Sequence, residues 1–238
     1  MKRLTYLPLA ASLFVAASAA SYAAPSAQAS YLDARQIPLG VLLAPPAADG
    51  SERQQADLDA VLNAQRSRTP EQVARAKADA TKSVFRFADV LGPDFNEAGL
   101  PKTAALFEAV DHDAERVAKG GKHFFSRARP FVASRDVQPI VPKRPGDDYN
   151  SYPSGHATFG YLCAILLAQM VPEKRDALFA RGREFGMNRV VDGVHYPSDV
   201  EAGRIDGTLV AAALMANPDF QRDFADAKAE VRAALKLD

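Results

Sequence analysis

The sequence of 238 residues has one cysteine, no tryptophan and no excess charge of either sign. Lys and Arg together number 29, as do Asp and Glu. A protein that neutralises the phosphates of nucleic acid usually carries a basic excess, so this balance argues against a nucleic-acid partner. Because Cys163 has no second cysteine to pair with, no intrachain disulfide can form. Its apolar neighbours indicate a core residue rather than a catalytic thiol.

Long apolar runs are also scarce, and the clearest one is at the N-terminus. Lys2 and Arg3 precede an uncharged, Ala-rich run over 4–20, and small residues follow in the pattern of a cleavage site. This arrangement predicts a secretory signal peptide over 1–23, with cleavage after Ala23 or as late as Ala29. A membrane anchor is the alternative, which the weakly hydrophobic Ala and Ser of the run disfavour. We therefore expect an exported, soluble protein without stable membrane insertion after cleavage.

The mature chain divides into an arm and one domain. Prolines over 24–50 predict an extended N-terminal arm. Over 51–238, apolar residues recur at helical spacing and no segment alternates as a strand does, so this part predicts a single-domain, all-α helical bundle. Helix starts are expected near Ser51, Thr69, Pro172, Pro197 and Pro218.

The predicted helices have three interruptions. Apolar residues keep a helical spacing from Thr69 as far as Phe87, a break is expected at Gly92-Pro93-Asp94, and the next helical run ends at Gly120-Gly121. Three prolines and one glycine over 131–152 predict a long loop. A buried helix follows it, from Pro153 to about Met170.

The first cluster with chemical potential spans 122–130. Lys122 and Arg129 are seven residues apart, which is two helical turns, so both cations can point to one side. Such a pair can grip a phosphate, with Arg as a planar fork and Lys as a point charge. Basic residues near the end of a helix also complement its dipole, so the pair alone is weak evidence.

The second cluster, Tyr152-Pro153-Ser154-Gly155-His156, comes directly before the buried helix. Ser154 and Gly155 would place backbone N–H groups at a helix N-terminus, where an anion is favoured. His156 would then lie beside that anion. A plain Pro-Ser helix start with a structural histidine is the alternative.

The third cluster runs from Asn188 to Asp199. Pro197 suits the first turn of a helix, which places His195 just outside it and Asp199 within reach of His195. A carboxylate bonded to one imidazole nitrogen leaves the other nitrogen available as a base or nucleophile. Arg189 adds a third cation. In isolation, a His-x3-Asp pair also fits chance or a metal site.

Together, the order Lys-x6-Arg-Pro, Pro-Ser-Gly-His and Arg-x5-His-x3-Asp resembles the phosphatidic acid phosphatase type 2 superfamily, which includes the vanadium haloperoxidases. All ten defining letters are present in order. Within that superfamily the sequence is most similar to the bacterial class A nonspecific acid phosphatases, which are exported. The family usually has Ser before the third-motif Arg, where this sequence has Asn188. We expect that difference to tune a loop rather than to abolish activity.

The resemblance implies a periplasmic acid phosphatase that hydrolyses small phosphate monoesters and can also transfer phosphoryl groups to alcohols. It makes His195 the nucleophile, Asp199 the residue that orients it, and His156 the general acid and base. It assigns phosphate binding to five residues: Lys122, Arg129, Ser154, Gly155 and Arg189.

The resemblance also implies that no metal or other cofactor is needed. Vanadate can occupy the phosphate site as an inhibitor, or as the cofactor of a haloperoxidase, which is the first alternative function. A lipid or pyrophosphate phosphatase is the second. Because family members are often multimeric, a homo-oligomer is also an open expectation.

Overall fold

The computed structural model describes residues 30–143 and 145–237, so the predicted signal peptide lies outside the described residues. Within those ranges the chain forms α-helices and short 3-10 turns, and no strand. The prediction of an all-α fold is confirmed. The helices are α1 (Leu39–Leu42), α2 (Glu52–Ser67), α3 (Pro70–Ala78), α4 (Ala88–Leu91), α5 (Pro101–Phe125), α6 (Pro130–Ala133), α7 (Gly155–Met170), α8 (Arg175–Asp192), α9 (Pro197–Met215) and α10 (Pro218–Ala234).

The described part of the N-terminal arm is less extended than the sequence predicts. It contains a 3-10 turn at Ala34–Gln36 and the short helix α1. Tyr31 and Leu39 are buried, and the Tyr31 amide donates to the carboxylate of Asp113 on α5 at 2.8 Å. Apolar side chains therefore fold the arm onto the bundle despite its prolines.

Two helix ends differ from the prediction. Helix α3 begins at its predicted cap, Thr69, but ends at Ala78 instead of continuing to Phe87. Helix α5 passes through Gly120-Gly121 and ends only at Phe125. Gly121 is buried there, and a Cβ on it would lie 2.9 Å from Cδ of Pro153. This glycine therefore permits a close helix contact rather than ending the helix, and the contact brings Lys122 to the start of α7.

Helix α7 is the centre of the bundle and is apolar on nearly all sides. It packs against α5, α8, α9 and α10. Its approach to α9 is especially close, because a Cβ on Gly203 would lie 2.5 Å from the Ser154 carbonyl and a Cβ on Gly207 would lie 2.5 Å from the Thr158 carbonyl. The two glycines thus hold the first turns of α7 and α9 side by side.

In the described ranges, no helix combines the length and the apolar character that crossing a bilayer requires.

Candidate active site

Six of the predicted site residues line one cavity of about 710 Å³. They come from the end of α5, the connection to α6, the start of α7, the end of α8 and the connection to α9. Three cations and two histidines therefore face a common space. The six residues are Lys122, Arg129, Gly155, His156, Arg189 and His195.

The hydrogen bonds of His195 fix which ring nitrogen carries the proton. Nε2 lies 2.8 Å from Nη1 of Arg129, and Nδ1 lies 3.2 Å from Oδ2 of Asp199. Arginine can only donate, so Nε2 must be the acceptor and carries a lone pair. The proton of the neutral ring is then on Nδ1, where Asp199 accepts it. This tautomer presents an unprotonated Nε2 to the cavity.

Burial, reinforced by the charges of Arg129 and Lys122, lowers the pKa of His195 well below its ordinary value. The imidazole therefore stays neutral under acidic conditions that protonate an ordinary histidine. A neutral ring is the form that can attack an electrophile.

Asp199 is fully buried behind His195 and accepts from several donors. Besides Nδ1 of His195, its carboxylate accepts from Arg127 Nη1 at 2.6 Å, the Ser151 hydroxyl at 2.6 Å and the Tyr196 amide at 2.9 Å. These bonds fix the position of the carboxylate, and through it the orientation of the imidazole ring. Sequence reasoning assigned no role to Arg127 or Ser151, although Arg127 lies inside the first motif.

Lys122 lies beside the N-terminus of α7. A Cβ on Gly155 would be 4.0 Å from Cε of Lys122, so the glycine backbone and the lysine share one edge of the cavity. Burial, followed by the charge of Arg129, lowers the pKa of Lys122 to about 7. The α-helix ends before Arg129, so the two cations meet because the chain turns at Ser126, which has a φ of 46°, and not because they share a helix face.

His156 also has a defined tautomer. Its Nε2 lies 3.0 Å from the carbonyl oxygen of Ala80, which can only accept, so Nε2 carries a proton. Any proton that His156 passes to or from a ligand must therefore use Nδ1. Ala80 itself lines the cavity, so the connection after α3 becomes part of the site.

Ser154 differs from the prediction. It is fully buried, and its backbone N–H donates to the Asp199 carbonyl at 3.0 Å, while its hydroxyl accepts from the Ala157 amide. Its amide is therefore committed to the contact between α7 and α9 and does not point to an anion. Gly155 is the residue of this pair that lines the cavity.

Asn188 lies within α8 and is buried, so it does not belong to a loop as predicted. Its side-chain amide donates to Asp79 Oδ2 at 2.7 Å, and the fully buried Asp79 also accepts from Arg181. Asp79 directly precedes Ala80, whose carbonyl holds His156. The unusual Asn188 thus supports the backbone that orients the second histidine.

Asp192 connects the third cation to the long loop. It forms an ion pair with Arg189 at 3.0 Å, and its Oδ1 accepts from the backbone amides of Ile140 and Val141. The carboxylate therefore bonds the loop backbone while it also orients Arg189.

The chain matches the PAP2 superfamily over residues 106–223. It is 34% identical over 200 residues to an acid phosphatase of Zymomonas mobilis, across 81% of this chain and 75% of that protein. It is 34% identical over 167 residues to a non-specific acid phosphatase of Salmonella typhimurium, across 66% of this chain and 65% of that protein.

Among solved structures, the fold is similar to that of a protein described as the first bacterial vanadium-dependent iodoperoxidase. The TM-score is 0.55 at 16% identity, over 72% of this chain and 52% of the other. At that identity the likeness concerns the fold alone.

Proposed function

This chain belongs to the PAP2 superfamily, and from the geometry of its site we propose that it is an exported acid phosphatase that hydrolyses phosphate monoesters through a phosphohistidine. The observation that carries the proposal is the unprotonated Nε2 of His195, in a cavity whose lining includes Lys122, Arg129 and Arg189. A neutral nucleophile among positive charges suits attack on an anionic phosphorus centre.

In the first step, Nε2 of His195 attacks phosphorus and the bond from phosphorus to the ester oxygen breaks. The leaving alkoxide takes a proton from Nδ1 of His156, which must therefore be doubly protonated when the substrate binds. The His195 ring becomes positively charged when Nε2 bonds to phosphorus. Asp199, which accepts from Nδ1, stabilises that charge.

In the second step, His156 accepts a proton from water, and the resulting hydroxide attacks phosphorus. The bond between phosphorus and Nε2 breaks, inorganic phosphate leaves, and His195 returns to its neutral form. His156 is again the acid for the next substrate molecule.

The charge on the transferring phosphoryl group spreads over its equatorial oxygens. Lys122, Arg129, Arg189 and the Gly155 amide are proposed to hold those oxygens. Ser154 takes a supporting position in this proposal, because its amide fixes the start of α7. We propose that no metal is needed, because the fixed cations supply the electrostatic stabilisation that a metal pair gives in other phosphatases.

The substrates are proposed to be small phosphorylated organic molecules, since the residues proposed to bind phosphate line a cavity of about 710 Å³. The proposed export rests on the signal-peptide pattern over 1–23.

The test is the hydrolysis of an aryl phosphate over a pH series with a chelator present. We expect His195→Ala to lose activity by at least about a thousandfold, and exposed His112→Ala to keep wild-type turnover. Rapid acid-free quenching with labelled substrate should trap an acid-labile phosphoryl group on the wild type only. Inhibition by the chelator, or wild-type turnover of His195→Ala, would refute the mechanism.

Iodide oxidation with vanadate and peroxide tests the haloperoxidase alternative.

A further inference from the structure

Most of the donors of Arg129 are already engaged by the protein itself. An arginine side chain has five N–H groups. In Arg129, Nε donates to the Asp147 carbonyl, Nη1 donates to the Val194 carbonyl and to His195, and Nη2 donates to Oδ2 of Asp147 at 2.6 Å. Among the described residues these bonds leave one N–H of Arg129 for a phosphate.

The carboxylate of Asp147 therefore accepts one of the two N–H groups of Nη2 and leaves only the other for a phosphate oxygen. The Asp147 side chain is about one-third exposed and lines the same cavity as His195, while Arg129 is almost fully buried. The segment that carries Asp147 also engages a second cation, because Nζ of Lys122 donates to the carbonyl of Asn150. Both arrangements place oxygen atoms of 147–150 on groups assigned to the substrate.

We infer that Asp147 is an internal competitor for the phosphate site, which lowers the affinity for the phosphoryl group and so determines which substrates bind. The inference rests on the function proposed above. A bound phosphate must displace the Asp147 carboxylate from Arg129 or share the guanidinium with it. Two anions that share one guanidinium repel each other. Substrates whose leaving group makes further contacts with the cavity overcome this cost more easily than phosphate alone.

The alternative role for Asp147 is to orient Arg129, and the two roles predict opposite signs. In Asp147→Asn the side-chain amide oxygen would still accept from Arg129, but the side chain would carry no charge. If Asp147 competes with the anion, Asp147→Asn should tighten phosphate binding. If Asp147 only positions Arg129, the same change should weaken binding or leave it unchanged.

The experiment is a calorimetric titration with inorganic phosphate, which needs no turnover. Asp148→Asn is the matched control, because Asp148 is the adjacent exposed acid and contacts Arg129 only through its backbone carbonyl in the described structure. We expect the phosphate Kd of Asp147→Asn and Asp147→Ala to fall by roughly three- to tenfold, and that of Asp148→Asn to stay at the wild-type value. The KM for a small phosphate ester should fall in parallel, with a smaller change in kcat.

The outcomes separate this inference from the proposed function. If the wild type binds phosphate and Asp147→Asn binds it equally well or less well, the inference is wrong and the phosphatase proposal stands. If neither the wild type nor the Asp147 variants bind phosphate, both fail. Tighter binding in Asp148→Asn as well would indicate a general charge effect and would also overturn the inference.

Discussion

Arg127 donates to Oδ1 of Asp199 at 2.6 Å, and both side chains are almost completely buried. This pair supports His195, the proposed nucleophile, from behind, because Oδ2 of the same carboxylate accepts from its Nδ1. Burial raises the pKa of Asp199, and Arg127 opposes that rise. The guanidinium therefore keeps the carboxylate able to stabilise a positive imidazole.

Arg127→Met should damage both stability and activity. Methionine keeps much of the apolar stem, but it removes the guanidinium that lies over the Tyr196 ring and leaves Asp199 buried without its cation. We expect a loss of about 3–5 kcal/mol in the free energy of unfolding and a fall of roughly tenfold or more in kcat. Arg222→Met is the control, since its ion pair with Asp219 is exposed and should contribute less than about 1 kcal/mol. Equal effects of the two changes in denaturant titrations would contradict the role of Arg127.

Lys122 should make substrate affinity depend on pH. Because its pKa is lowered to about 7, the free enzyme loses this positive charge as the pH rises through neutrality. KM for a phosphate ester should therefore increase several-fold between about pH 6 and pH 8.5. In Lys122→Arg the charge persists at every accessible pH, so KM should vary less across the same range, whatever the change in kcat. Lys119→Arg, at the cavity edge, should keep the wild-type slope.

Asp206 should make the protein less stable at neutral pH than at mildly acidic pH. Burial raises its pKa from 3.8 to about 7, and its Oδ1 has no hydrogen-bond partner among the described residues. The folded state therefore binds the proton more tightly than the unfolded state. The resulting stabilisation is complete below about pH 4 and is lost as the pH rises through about 7.

Asp206→Asn removes this titration and should be more stable than the wild type at pH 8, by on the order of 2–4 kcal/mol. The advantage should shrink as the pH falls towards 4. Thermal or denaturant unfolding at both pH values measures it, with the exposed Asp176→Asn as the control. A constant difference between Asp206→Asn and the wild type at both pH values would contradict the expectation.

Gly203→Ala should separate α7 from α9. The new Cβ would lie 2.5 Å from the Ser154 carbonyl, so backbone must move to accept it. We expect a loss of about 2–3 kcal/mol in stability together with reduced turnover, because Ser154 and Asp199 are bonded across this contact. Gly120→Ala is the control, since a Cβ there meets no atom within 4 Å and removes a flexible residue from α5. It should be neutral or stabilising by up to about 1 kcal/mol.

Helical spacing and capping residues in the sequence predicted most of the bundle. Thr69 and Pro197 begin helices in the structure as expected, because capping and proline geometry are local properties. The ends of helices were harder to predict. Gly121 reads as a stop in the sequence, yet α5 continues to Phe125, and the residue is a glycine because Pro153 leaves no room for a side chain.

The candidate site was predictable where residues touch the cavity and less so where they support it. Three spaced motifs identified the histidines and cations that the structure brings together. Ser151 and Asp147 belong to no motif, and their contacts with Asp199 and Arg129 depend on how the loop over 131–152 folds back. Ser154 was assigned to the anion because its amide begins a helix, but tertiary contact with α9 uses that amide instead.

The loop before α7 has a consequence for the evolution of specificity. This short segment contacts three residues of the candidate site. Asp147 bonds to Arg129, the Asn150 carbonyl to Lys122, and Ser151 to Asp199. Loops at the mouth of a cavity commonly vary without effect on the residues beneath them. This loop contacts both the proposed phosphate-binding cations and the carboxylate that orients His195. A graft that imports a relative's loop to change substrate preference would need to preserve the Ser151 hydroxyl, or it would disturb Asp199 and the orientation of His195 along with the pocket.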